Sequence, residues 1–159
     1  MIETNRGSWV ANISGEEYFE TFEIISSLER KAAELAVQRA SDEQIDELYQ
    51  LHCQMEFHFE KQQKEAYFKL NEQIHKMIIA MSGNQKLQKL HEQLIHLVAR
   101  GRFEAIGAES RWQEAMAEHV ALMDAIKNRD GQKAGEVLQA HVMQTGNIIR
   151  AKLLGDAPK

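Results

Sequence analysis

The sequence predicts an all-α fold, an antiparallel bundle of about six helices with a metal site in the bundle core. Three observations carry that expectation. Apolar residues recur at helical spacing along nearly the whole chain, the chain holds a single proline, and no run of strand period is found beyond the opening residues. Capping and turn signals punctuate the periodic runs at short intervals, and short connections make successive helices antiparallel neighbours.

Residues 1–13 read as an extended lead-in with the apolar alternation Trp9, Val10 and Ile13. Ser14-Gly-Glu-Glu17 has the capping-box form, in which the serine accepts from a first-turn amide and the glutamate reaches back to the serine amide. A long helix should follow to about Arg39, with Phe22, Ile25, Leu28, Ala32, Leu35 and Ala36 inward. Ser41-Asp-Glu-Gln44 repeats the form and opens a second helix carrying Ile45, Leu48, Leu51, Met55 and Phe59.

The polar stretch Lys61 to Glu65 marks a break, and the third helix, Tyr67 to Gly83, sets Phe68, Asn71, Ile74, His75, Ile78 and Ile79 on one face. Ser82-Gly83-Asn84 supplies a glycine stop and then a cap. A fourth helix runs through Leu87, Leu90, Leu94, Leu97, Val98 and Phe103. Gly107 to Ser110 is a connector, Ser110-x-x-Gln113 opens a fifth helix to about Asn128, and Asp130 caps a sixth that reaches about Leu153. Residues 14–154 thus form one helical domain, and residues 155–159 a frayed tail.

A chain of 159 residues, 43% hydrophobic and 27% charged, is long and apolar enough to bury one core. The net charge of −5, with no dense Lys/Arg run, argues against direct nucleic-acid contact through phosphates. Cys53 is alone, so no intramolecular disulfide forms and a reducing compartment is expected. No stretch has the roughly 20 apolar residues that a bilayer span needs, and no signal-peptide pattern opens the chain. A cytoplasmic protein with no membrane partner is the expectation.

The third helix carries a polar pair where core is expected. Asn71 and His75 stand one turn apart on the inward face, and an unpartnered buried amide or imidazole costs about 1–3 kcal/mol. His119, in Met116-x-x-His119-Val120-x-x-Met123, and His141, in Leu138-x-x-His141-Val142-x-x-Thr145, also lie in apolar stripes. Three segments therefore aim a histidine at the bundle axis, and one shared ion would satisfy Asn71, His75, His119 and His141 together. Imidazoles suit a divalent transition metal, zinc first, with nickel, manganese or iron as alternatives. None of the four ligands is an anion, so the pocket should favour a carboxylate beside the ion. Of the other histidines, His58 and His96 have polar neighbours and read as solvated, whereas His52 and His91 are open between core and pocket.

These residues resemble the FCD domain, the C-terminal ligand-binding domain of FadR-type regulators in the GntR family. The likeness covers about Ser14 to Leu153 and rests on Leu28-Glu29 and Leu35-Ala36, Arg39-Ala40-Ser41-Asp42-Glu43, Asn71-x-x-Ile74-His75, Ser82-Gly83-Asn84, Ala117-Glu118-His119, Asp124-Ala125-Ile126 with Asp130, and Ala140-His141. The resemblance implies a bundle of six or seven helices and a metal held by an Asp or Asn, the histidine one turn later, and a histidine from each of the last two helices. Those roles fall on Asn71, His75, His119 and His141. It further implies a small carboxylate effector and a homodimer, and the long amphipathic helices of this sequence add to the dimer expectation through outer apolar residues such as Trp112 and Phe103 in need of cover.

Two departures from the family pattern stand out. Where the family commonly has an arginine four residues before the first-helix glutamate, this chain has Ile25, which leaves Arg100 or Arg102 to meet the effector. Asn5 to Ala11 resembles the end of a winged-helix wing, and the expected DNA-binding domain is absent from this chain. The expected function is an effector-binding and dimerisation domain of a transcriptional regulator. The alternative is a metal-dependent hydrolase or lyase built on the three histidines, for which Glu118 and Glu72 are poor bases because each is turned off its histidine's face.

Overall fold

Helix α1, Gly15–Arg39, starts as its capping box requires. Ser14 Oγ accepts from the Glu17 amide at 3.2 Å while the Glu17 carboxylate accepts from the Ser14 amide at 2.8 Å. The second box starts α2, Asp42–Glu60, through Ser41 and Gln44. Helix α3, Lys64–Met81, begins inside the stretch expected as a break. Gln62, at φ 57°, turns the chain in the left-handed region, so fewer residues suffice.

Gly83, at φ 62°, stops α3, and Asn84 Oδ1 accepts from the Leu87 amide at 3.1 Å to start α4, Gln85–Ile106. Helix α5, Glu109–Lys127, takes in Ser110, which sequence had placed in the connector. Asp130 caps α6, Gly131–Gly155, by accepting from the Lys133 amide at 2.9 Å. The helix runs slightly past the end expected for it.

This computed structural model describes the backbone of residues 14–106 and 109–155, and the side chains of all of these except 100–106, 109, 110 and 154. The lead-in of residues 1–13, with its wing-like Asn5 to Ala11, lies outside the described residues, as do residues 156–159 of the tail. The described residues form six helices and no strand, which is the all-α bundle expected. No described helix is long and apolar enough to cross a membrane.

Helix α1 packs most extensively on α6. Gly146 permits the approach, since a Cβ there would stand 2.7 Å from Phe22 Cβ and 2.9 Å from its Cγ. Gly146→Ala is therefore expected to destabilise the protein by about 1–3 kcal/mol of overpacking, only partly offset by alanine's better helix propensity. Urea unfolding of the variant measures it. Arg129, at φ 58°, joins the other end of the bundle by donating to Val37 O at 2.9 Å and Ala40 O at 2.8 Å.

Two expectations about apolar faces need correction. Leu90 and Leu97 are 44% and 52% exposed, because the stripe of α4 is centred on Leu87, His91 and Val98 and leaves those leucines on its flank. Trp112 is 1% exposed and cannot serve as an outer residue awaiting cover. Its ring is held edge-on to Phe59 at 4.9 Å and Tyr67 at 5.4 Å. The Phe103 side chain lies outside the described residues.

Candidate metal centre

Every helix sends one buried polar side chain or more toward the middle of the bundle. Their order along the chain is Glu29 on α1, His52 on α2, Asn71 and His75 on α3, His91 on α4, Arg111 and His119 on α5, and His141 on α6. Helical periodicity accounts for each histidine: His75 follows Asn71 by one turn, His119 shares a face with Met116 and Met123, and His141 with Leu138 and Thr145.

The three expected imidazoles meet. Ring centroids are 5.4 Å apart for His75 and His119, 5.2 Å for His75 and His141, and 4.8 Å for His119 and His141. One nitrogen from each lies within 4.8 Å of the other two. With metal–nitrogen bonds of about 2.0–2.1 Å, ligands around one ion stand roughly 3–4 Å apart, so modest adjustment of the rings would close the set. Asn71, one turn from His75, is buried, and neither atom of its amide has a hydrogen-bond partner among the described residues.

An outer layer of carboxylates orients two of the rings. The Glu29 carboxylate, 0% exposed, accepts from His75 Nδ1 at 2.5 Å and from His91 Nε2 at 2.9 Å. An ionised carboxylate has only lone pairs to offer, so His75 carries its proton on Nδ1 and its lone pair on Nε2. Glu118 Oε2 stands 2.6 Å from His141 Nδ1 and imposes the same tautomer there. Arg111 clamps Glu118 from the other side, with Nη1–Oε1 at 2.9 Å and Nη2–Oε2 at 2.8 Å, and also donates to His141 O at 3.1 Å. Burial pushes the Glu118 carboxyl up, but the hydrogen bonds from His141 and Arg111 outweigh it and hold its pKa at about 2.

Glu118 is thus engaged with the site despite its place beside His119. It reaches the His141 of the neighbouring helix, a contact that the angle around its own helix does not show. Glu29 and Glu118 also change the charge argument. The ligands themselves are neutral, but two carboxylates stand behind them, and Arg111 offsets that of Glu118. The inward register of Glu29, four residues after Ile25 and three before Ala32, was the available signal for the first carboxylate.

His91, left open on sequence, is a core histidine that also lines a pocket. That pocket, about 280 Å³ between α3 and α4, is bordered by His75, Lys76, Ile79, His91, Ile95 and His96. Glu72 and Glu92 also border it, so Lys76 gives it no clear positive field. His58 bonds Gln63 at the surface and His96 is exposed, as expected of both. The side chains of Arg100 and Arg102 lie outside the described residues.

Residues 20–144 match the FCD domain family. The chain is 23% identical to the HTH-type transcriptional repressor GlaR of Escherichia coli K12 over 163 aligned positions, which cover 98% of this chain and 74% of GlaR. It is 23% identical to the HTH-type transcriptional repressor RspR of the same organism over 150 positions, covering 94% of this chain and 66% of RspR. Among solved structures, that of E. coli McbR/YncC is similar with a TM-score of 0.76 at 23% identity, over 88% of this chain and 66% of that one. At that identity the structural likeness speaks for the fold.

Proposed function

Since the chain belongs to the FCD domain family of GntR-type transcription regulators, we propose that it is the effector-binding domain of such a regulator and senses a small organic acid at a metal centre. The observation that carries the metal is the convergence of His75, His119 and His141 from three helices, with one nitrogen of each inside a 4.8 Å span. The residues fit the group. The carboxylates that hold Nδ1 of His75 and of His141 make Nε2 the lone-pair nitrogen of each ring, and Asn71, whose amide has no hydrogen-bond partner among the described residues, stands one turn from His75 on the same face. His75, His119, His141 and Asn71 would hold a divalent transition metal, zinc first, with nickel, manganese or iron as alternatives.

Bound there, the ion supplies a positive charge that can anchor one carboxylate. The chain's own residues do the rest. Glu29 and Glu118 fix two imidazoles, and the pocket between α3 and α4 gives a small molecule a path to His75 along Ile79 and Ile95. At about 280 Å³ it suits a compact acid better than a drug-sized ligand. Binding biases one arrangement of helices over another, limited by the difference in affinity for the two. A homodimer transmits that bias, and DNA is contacted through a further domain of the regulator; neither role falls to the bundle interior.

The site binds and does not turn over substrate. A hydrolase needs a free general base, yet Glu29 is shared by two histidines and Glu118, at about 2, is too weak a base near neutral pH. Protein purified without an affinity tag is expected to carry about one transition-metal ion per chain by elemental analysis. It should also sediment as a dimer and gain thermal stability from a small dicarboxylate such as succinate only when metal is bound. A metal-free preparation that takes up no added zinc would refute the metal centre.

A further inference from the structure

His52 is the one histidine of the interior that the reading above does not use. It lies at the centre of the α2 stripe, four residues after Leu48 and three before Met55, and is 4% exposed. Neither of its ring nitrogens has a hydrogen-bond partner among the described residues. An imidazole ring carries at least one N–H donor, so a partner is called for. A buried imidazole without partners costs about 1–3 kcal/mol, and a hydrophobic side chain at that place in the stripe would not incur it.

The position of the ring says where a partner would stand. The His52 ring lies near that of His119, with centroids 6.5 Å apart and planes at 25°, and near that of Tyr49 at 6.2 Å and 16°. Lys127 holds the Tyr49 ring in turn, its Nζ standing 3.7 Å from the ring centre. His52 is therefore held one ring's breadth from the cluster, yet it is not among the side chains whose nitrogens converge.

We propose that His52 is a ligand-contact residue of this site: its N–H meets the exogenous anion bound beside His119, without itself coordinating the ion. The inference rests on the metal-centre reading and extends it to α2, a helix that supplies none of the ion's ligands. It predicts that the anion is read from two sides, by the cation and by the ring N–H of His52. A carboxylate oxygen is the acceptor that fits both.

Cobalt(II) substitution separates the two levels, because the visible bands of the ion report both its uptake and the arrival of an added anion. The probe is azide, titrated into the cobalt-loaded full chain. His52→Phe keeps the ring shape and removes both nitrogens, and His52→Gln restores a donor. The expected result is full cobalt uptake by both variants, azide affinity about tenfold weaker in His52→Phe, and most of that loss recovered in His52→Gln. Parental azide affinity in His52→Phe overturns the proposal, and so does loss of cobalt from a variant whose helical circular dichroism is intact, which would make His52 a ligand. If His52→Phe does not fold, His52→Ala takes its place with the same reading, and His52→Gln with parental affinity then supports the donor role. Failure of the parent to take up cobalt refutes the metal centre itself and is seen before any azide is added.

Discussion

A His75→Ala/His119→Ala protein is expected to purify without transition metal and to melt about 5–10 °C below the metal-loaded parent. Two of the three converging imidazoles are removed, and Asn71 with His141 is too small a set to retain an ion. An ion present at a hundred times its dissociation constant adds about 2.7 kcal/mol to folding stability, and each kcal/mol moves the melting point of a domain of this size by about 2–4 °C. The control is the parent stripped with a chelator. Added zinc should raise its melting temperature and leave that of the double variant where it was. Equal zinc responses in the two proteins would sink the assignment, whatever their starting stabilities.

The sign of that control matters, since truncating two buried rings also removes packing. Each histidine is nearly inaccessible, so cavity formation lowers the apo stability of the variant independently of any ion. Only the response to metal isolates the site. A variant that is less stable but still zinc-responsive would mean that the rings are core histidines.

Much of this arrangement is legible in the sequence because a helix converts spacing into direction. Asn71 and His75 at one turn, and His119 and His141 each framed by apolar neighbours at three and four residues, can point only inward once their helices are amphipathic. The same logic, applied to Glu29 between Ile25 and Ala32, would have placed it in the core. A glutamate in an apolar stripe reads as a flank residue until the histidines opposite it are known. What the spacing cannot show is contact between helices. Glu118 meets His141 across the α5–α6 seam, and Arg111 reaches it from two turns earlier on its own helix, with no local pattern to announce either. Trp112 was misplaced for a related reason, since its burial depends on Phe59 and Tyr67, which belong to other helices. Leu90 and Leu97 failed on register alone, because His91 takes the centre of the stripe between them.

Glu29 gives the second large effect. Glu29→Ala leaves the Nδ1 proton of His75 and the Nε2 proton of His91 buried without their acceptor, and two such donors at about 1–3 kcal/mol each make a loss of roughly 2–6 kcal/mol in urea unfolding. Glu29→Gln is the more informative change. A side-chain amide presents one acceptor oxygen and one donor nitrogen, so it can satisfy only one of the two N–H groups. If the nitrogen faces His75, the ring must accept on Nδ1 and carry its proton on Nε2, the atom that should bind metal. Zinc affinity measured against a chromophoric competitor is therefore expected to fall about ten- to a hundredfold in Glu29→Gln, the usual effect of losing an outer-layer partner. Glu29→Ala should fall at least as far. Were Glu29→Gln to bind zinc like the parent while Glu29→Ala lost only stability, the carboxylate would be a buried structural link between α1, α3 and α4, and the tautomer of His75 would have to be set by something else.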